Sequence, residues 1–157
     1  MSRSGYHYYH DNEWQFICWR GAVKSAIRGK RGQMFLREML ASLDALPEKR
    51  LIDDDLIIDG KNGGFILGGD SLTDERGRIY RVGDVCALGA VGRTRGLNMD
   101  GLDPHDPYQV APAFGIARAL AQEIVFINDE GSIGLETPEQ RFGRVRAWII
   151  QNLRDQA

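Results

Sequence analysis

The sequence predicts an α+β fold dominated by helices: a single domain with an N-terminal helical hairpin, a small antiparallel β meander and C-terminal helices. Three observations predict it. Apolar residues recur at helical spacing before Pro47 and again after Tyr108. Between those stretches, short β-branched runs are broken by Gly and Asp. The 157 residues, 43% hydrophobic and 27% charged, are enough to bury one core without disulfide or metal staples.

Residues 1–12 are polar and aromatic without periodicity, and are expected to form a flexible tail, leaving 13–157 as the globular domain. A first helix is expected over Glu13–Arg28, where Phe16, Trp19, Val23, Ala26 and Ile27 fall within about 100° of one another on a helical wheel. Gly29 and Gly32 bracket a "GKRG" turn. A second helix follows from about Gln33 to Leu46, with Leu36, Met39, Leu40, Leu43 and Leu46 as its stripe and Pro47 as its stop. A short connection between two such stripes predicts the antiparallel hairpin.

The runs "RLIDDDLIIDG", "GFILGG" and "RIYRVG" supply the meander. "GDVCALGAVGRTRG" then reads as a short helix, with Asp84 as N-cap and Gly96 as C-cap. "DPHDP" is a turn, followed by a short helix from Tyr108 and another over Ala117–Asn128. The final helix carries the strongest local signals. Thr137 is its N-cap, Pro138 its first residue and Gln140 the closing member of a capping box, and Phe142, Val145, Ile149 and Leu153 recur along it.

Four blocks, "WRGAVKSAIRGKRGQMFLREMLASLDALPEKRLI", "DVCALGAVGRTRG", "AFGIARALAQEIVFINDE" and "TPEQRFGRVRAWI", occur in this order. Together they resemble a family of small uncharacterised proteins encoded by phages and prophages. The resemblance covers most of the chain and departs from the family over Gly60–Val82, which is longer and richer in glycine here. It implies a mobile-element context and supplies no chemistry.

Composition narrows the function. A net charge of −2 excludes a polybasic protein that coats nucleic acid. The two cysteines, Cys18 and Cys86, lie far apart in apolar helical contexts, where buried reduced thiols and a cytoplasmic setting are expected. There is no hydrophobic signal core and no apolar run of membrane-spanning length.

"GGDSLTDERG" is similar to the nucleophile block of GDSL-type hydrolases at Gly69, Asp70, Ser71, Leu72 and Thr73, and "FINDE" offers an Asn-Asp pair of the kind that holds an oxyanion there. A serine nucleophile needs an imidazole base oriented by a carboxylate. The histidines are His7, His10 and His105; none has an Asp three residues before it, so a glycine-rich turn is the expected reading. His7, His10 and Asp11 lack a stable helix on which to hold a metal, and Asp53–Asp55 lack EF-hand spacing, so a solvated strand edge is expected there.

Charge is the most informative feature. Trp14–Arg50 holds eight basic and three acidic residues, a balance of +5, whereas residues 97–140 hold one and eight, a balance of −7. Arg20, Lys24 and Arg28 recur every fourth residue, and Lys30 and Arg31 extend the basic ridge through the turn. These five are the expected partner-binding residues; a solvated helix face is the plain alternative. With no catalytic residue, metal or cofactor to assign, the sequence points to a non-catalytic binding protein acting on a host or phage macromolecule. A counter-defence inhibitor, anti-CRISPR-like, is one form, with a host protein or ribonucleoprotein as partner. The alternatives are a nucleic-acid binder using the Arg20–Arg31 ridge, and a GDSL-like hydrolase at Ser71.

Overall fold

Where the sequence carries a 3.6-residue apolar period, the chain is helical. The structure is a computed structural model that describes residues 2–5, 12–58, 65–66, 71–73, 79–132 and 134–155, with backbone only for 65–66 and 71–73. Among the described residues there are six helices: α1 (Glu13–Arg28), α2 (Lys30–Asp44), α3 (Ala87–Arg95), α4 (Pro107–Phe114), α5 (Arg118–Glu130) and α6 (Pro138–Asn152). Three strands, β1 (Phe65–Ile66), β2 (Ser71–Thr73) and β3 (Ile79–Arg81), pair antiparallel in chain order. The fold is helix-dominated. No single described helix is long and apolar enough to cross a membrane.

α2 packs on α1, α3 and α6, while α5 packs on α1, α3, α4 and α6. Leu36, Met39 and Leu43 of α2 meet Leu88 and Val91 of α3, Leu120 and Ile124 of α5, and Val145 and Ile149 of α6 in one core. Burying such side chains stabilises the fold by about 1.5–3 kcal/mol each. Trp19 and Val23 belong to a second, smaller cluster completed by Phe16, Ile27, Ala119 and Phe126, which fastens α1 to α5. Both expected stripes are therefore the faces that pack, with Phe16, Ala26, Ile27 and Leu40 half-buried.

The ends of the helices follow local chemistry. Thr137 Oγ1 accepts from the Gln140 amide at 3.1 Å, and the Gln140 side chain accepts from the Thr137 amide at 3.0 Å. That is the expected capping box. Gly96 closes α3 in the left-handed conformation at φ +67. Gly115 does the same for α4 at φ +69, and α5 departs at 105° to it.

Several expectations are corrected. The "GKRG" turn is reduced to Gly29, because Lys30–Gly32 are already the first turn of α2. A Cβ on Gly32 would stand 1.9 Å from the Ala26 carbonyl oxygen, so the glycine is what lets α2 start against the end of α1. Of the run Arg50–Gly60, the described residues 50–58 do not form the expected first strand: among them only Ile57 pairs, in an isolated bridge to Val85. Asp54 at φ +62 breaks its extended path, and the segment instead laces to residues 83–86 through amides of Ile52, Ile58 and Cys86. Asp84 does not cap α3. Cys86 does, its Sγ accepting from the Gly89 amide at 3.4 Å, while Asp84 accepts from Arg50 and the Arg81 amide. Cys18, expected to be buried, is exposed on α1. Of the expected tail, Ser2–Gly5 is docked on the end of α5 rather than loose.

Candidate functional site

The basic ridge divides in two. Arg20 is engaged within the fold: Nη1 donates to Glu123 on α5 at 2.9 Å, and its guanidinium lies 5.2 Å from the centre of the Trp19 ring. It pins α1 to α5, unlike the other four residues of the ridge. Lys24, Arg28, Lys30 and Arg31 are exposed, and none has a side-chain hydrogen bond or ion pair among the described residues.

The contrast with the rest of the molecule is sharp. Arg95 forks onto Glu38 at 2.6 and 2.7 Å, Arg146 onto Asp44 at 2.7 and 3.2 Å, and Arg144 onto Glu136 at 2.6 and 2.8 Å. Arg50 reaches Asp84 at 3.1 Å and Glu139 at 3.2 Å. The Arg95 guanidinium holds Glu38 below the usual carboxylate range, and Arg146 does the same for Asp44. Glu38, which shares a depression with Lys30 and Arg31, is thus paired with another cation, Arg95. Four charges concentrate at the α1–α2 corner and project a positive field from a chain that is acidic overall.

The corner also has relief. Two adjoining depressions share Lys30, Arg31 and Ile116. One, about 360 Å³, runs past Met34, Phe35 and Phe114; the other, about 240 Å³, lies between Ala26–Gly29 and Ala117–Leu120. α2 begins after Gly29 and α5 after Ala117, and neither residue offers a side-chain cap. The first-turn amides of both helices keep the partial positive charge of an uncapped N-terminus.

A larger cleft of about 900 Å³ opens between α1 and α5 and includes Cys18, His105, Tyr108 and Gln122. His105 Nδ1 lies 3.5 Å from Asp103 Oδ1, both exposed, and the Arg118 guanidinium sits 4.4 Å from the centre of the Tyr108 ring. Among the described residues, no three His, Cys, Asp or Glu side chains stand together as a metal site. Ser71 lies in β2 with its Cα opposite Arg81, so the turn expected over Gly68–Gly77 is interrupted by a strand. Gly68–Asp70, Asp74–Gly77, His7, His10 and Asp11 lie outside the described residues.

The polar cluster that sequence reasoning missed is structural. Asn128 of "FINDE" is 1% exposed; Oδ1 accepts from the Ala87 amide at 3.1 Å, and Nδ2 donates to the Ile52 carbonyl at 2.7 Å and to Asp129 at 2.8 Å. An amide so engaged has no donor to offer an oxyanion. Asp53 accepts from Tyr80 Oη at 2.8 Å and from Arg141 Nη2 at 3.3 Å, so it is a buttress and not a solvated edge. Burial and the neighbouring carboxylates of Asp53 and Asp129 push Asp54 above the usual carboxylate range. Burial likewise raises the Cys86 thiol. Arg141 carried a signal: it lies four residues before Val145 and eight before Ile149, on the buried face of α6. No family model matches the chain, and comparison with curated proteins and with solved structures finds no match either.

Proposed function

We propose that the protein is a non-catalytic binding protein of phage or mobile-element origin that docks an anionic host or phage macromolecule through Lys24, Arg28, Lys30 and Arg31. One observation carries the reading: these four cations are exposed and unpaired among the described residues, while most other arginines are matched to carboxylates or carbonyls. Unpaired charge in one place speeds encounter with a partner of opposite sign and fixes its orientation. A counter-defence inhibitor of an RNA-guided nuclease is one form such a protein takes. Nucleic acid is the second reading, favoured by the same cations.

The test is Lys24→Glu, Arg28→Glu and Arg31→Glu together, with Arg20 left in place because it holds α1 to α5. Exposed charges contribute little to stability, so circular dichroism and the melting temperature should stay within error of wild type. Capture of the natural partner from host lysate should weaken by tenfold or more, about 1.4 kcal/mol. A folded triple variant that retains every wild-type partner returns the ridge to a solvated face. Retention of nucleic acid with a steep salt dependence moves the second reading ahead.

A further inference from the structure

We infer that the α1–α2 corner takes an acidic protein segment carrying an apolar side chain, with its carboxylates on Lys24, Arg28, Lys30 and Arg31 and the side chain in the groove past Met34. The inference rests on the ridge reading and names the partner class for that surface. Charge complementarity selects the sign: Lys30 and Arg31 line the groove, Lys24 and Arg28 precede them on α1, and the carboxylate within the groove, Glu38, is already matched by Arg95. An incoming carboxylate therefore meets unpaired cations and no competing anion. The neighbouring depression adds the uncapped starts of α2 and α5, which favour the same sign.

The apolar part separates a protein from a nucleic acid. Sequence-tolerant binding of single strands uses open aromatic faces on which bases stack. Here the aromatic rings of the groove are closed. Phe35 and Phe114 pack edge-to-face with centroids 6.5 Å apart, are 3% and 1% exposed, and Arg95 lies 5.5 Å from the centre of the Phe35 ring. What stays open is Met34, 60% exposed at the mouth. A thioether on three rotatable bonds adapts to an aliphatic or aromatic side chain and gives a base no flat surface. At about 360 Å³ the groove falls within the roughly 300–1,000 Å³ range of ligand-sized pockets. An extended or helical segment with acidic residues around an apolar anchor is the chemistry that fills it.

The experiment compares three fluorescent probes of equal charge at physiological salt: an acidic peptide of Asp and Glu with Leu and Phe, the same peptide with Ser for Leu and Phe, and a short single-stranded DNA. Wild type should bind the first at least tenfold more tightly than either other probe. Met34→Gln, which keeps length and removes apolar character at an exposed position, should reduce the first affinity at least fivefold and leave the second unchanged. Met34→Leu should restore it. Equal affinity for both peptides, lost on charge reversal of the ridge, overturns the groove and keeps the ridge. An unaltered Met34→Gln variant overturns it too. Tightest binding of DNA assigns the corner to nucleic acid. Failure of all three probes overturns the ridge reading itself.

Discussion

Arg3 faces Asp129 side by side, Nε donating to Oδ2 and Nη2 to Oδ1, each at 2.7 Å, with Arg3 only 3% exposed. Burial alone would lower the guanidinium, but the Asp129 hydrogen bonds and charge outweigh that and raise it. Ser2 and Ser4 add hydrogen bonds to Glu130 at 2.7 and 2.6 Å, so Ser2–Gly5 is latched to the end of α5. Breaking an enclosed pair costs about 3–5 kcal/mol because the remaining charge is stranded. Here the segment can lift and let water reach Asp129. Arg3→Ala should therefore cost less, about 1.5–3 kcal/mol, the worth of hydrogen bonds to a charged group. Urea titration measures it. Removing Ser2–Gly5 should cost the same within about 0.5 kcal/mol, and a neutral Arg3→Ala would show that the latch contributes nothing.

Four helical glycines fall into two sets. A Cβ on Gly32 would stand 1.9 Å from the Ala26 carbonyl oxygen, and one on Gly89 would stand 1.9 Å from that of Leu56. Gly21 and Gly143 have nothing within 4 Å. Gly21→Ala and Gly143→Ala should stabilise by about 0.5–1 kcal/mol through helix propensity. Gly32→Ala and Gly89→Ala should destabilise by about 1–3 kcal/mol or more, since backbone must move. Thermal melts of the four variants decide the matter. A stable Gly32→Ala would mean that α1 and α2 do not meet as closely as described.

The helices were legible because their signals are local. Thr137 and Gln140 are three residues apart, and the α2 stripe repeats within one turn. What escaped depends on partners far along the chain. Asp53 reads as a solvated acid until Arg141, 88 residues away, and Tyr80, 27 away, converge on it. The ridge shows the same limit. Spacing places Arg20, Lys24 and Arg28 on one side of α1, but only the fold brings Glu123, 103 residues downstream, to Arg20. The four ridge positions outside that contact were legible as exposed cations because no apolar stripe runs through them.

Asp54 sets a pH dependence. Its carboxyl is raised by burial and by Asp53 and Asp129, and its backbone sits at φ +62, a conformation that Asn adopts readily. A carboxyl raised on folding destabilises the fold when ionised. That penalty is complete above the raised folded value and disappears as pH falls toward the ordinary Asp value of about 3.9. Asp54→Asn removes it. Because the residue keeps solvent contact, the gain at neutral pH should be about 0.5 kcal/mol or less. Unfolding curves from neutral to acid pH should show the two proteins converging on acidification. A constant difference at every pH would assign the gain to the backbone alone.

Arg141 is the strictest test of the buried network. It is 2% exposed, and its guanidinium donates to the Asn128 carbonyl at 3.0 Å, the Leu51 carbonyl at 3.1 Å and Asp53 at 3.3 Å, with Glu136 at 3.4 Å. These acceptors belong to α5, to the segment after α2 and to the approach to α6, so one side chain joins three parts of the fold. Lysine presents a point charge on a flexible stem and cannot fork to acceptors in three directions. Arg141→Met and Arg141→Lys should each cost about 3–5 kcal/mol, because carboxylates and carbonyls are left buried without their donor. Asp53→Asn in the Arg141→Met background should recover part of that, since an amide in place of the carboxylate no longer needs the guanidinium and still accepts from Tyr80. The double-mutant cycle should give a coupling of about 1–3 kcal/mol. Additivity within about 0.5 kcal/mol would show that Asp53 and Arg141 are neighbours without being partners.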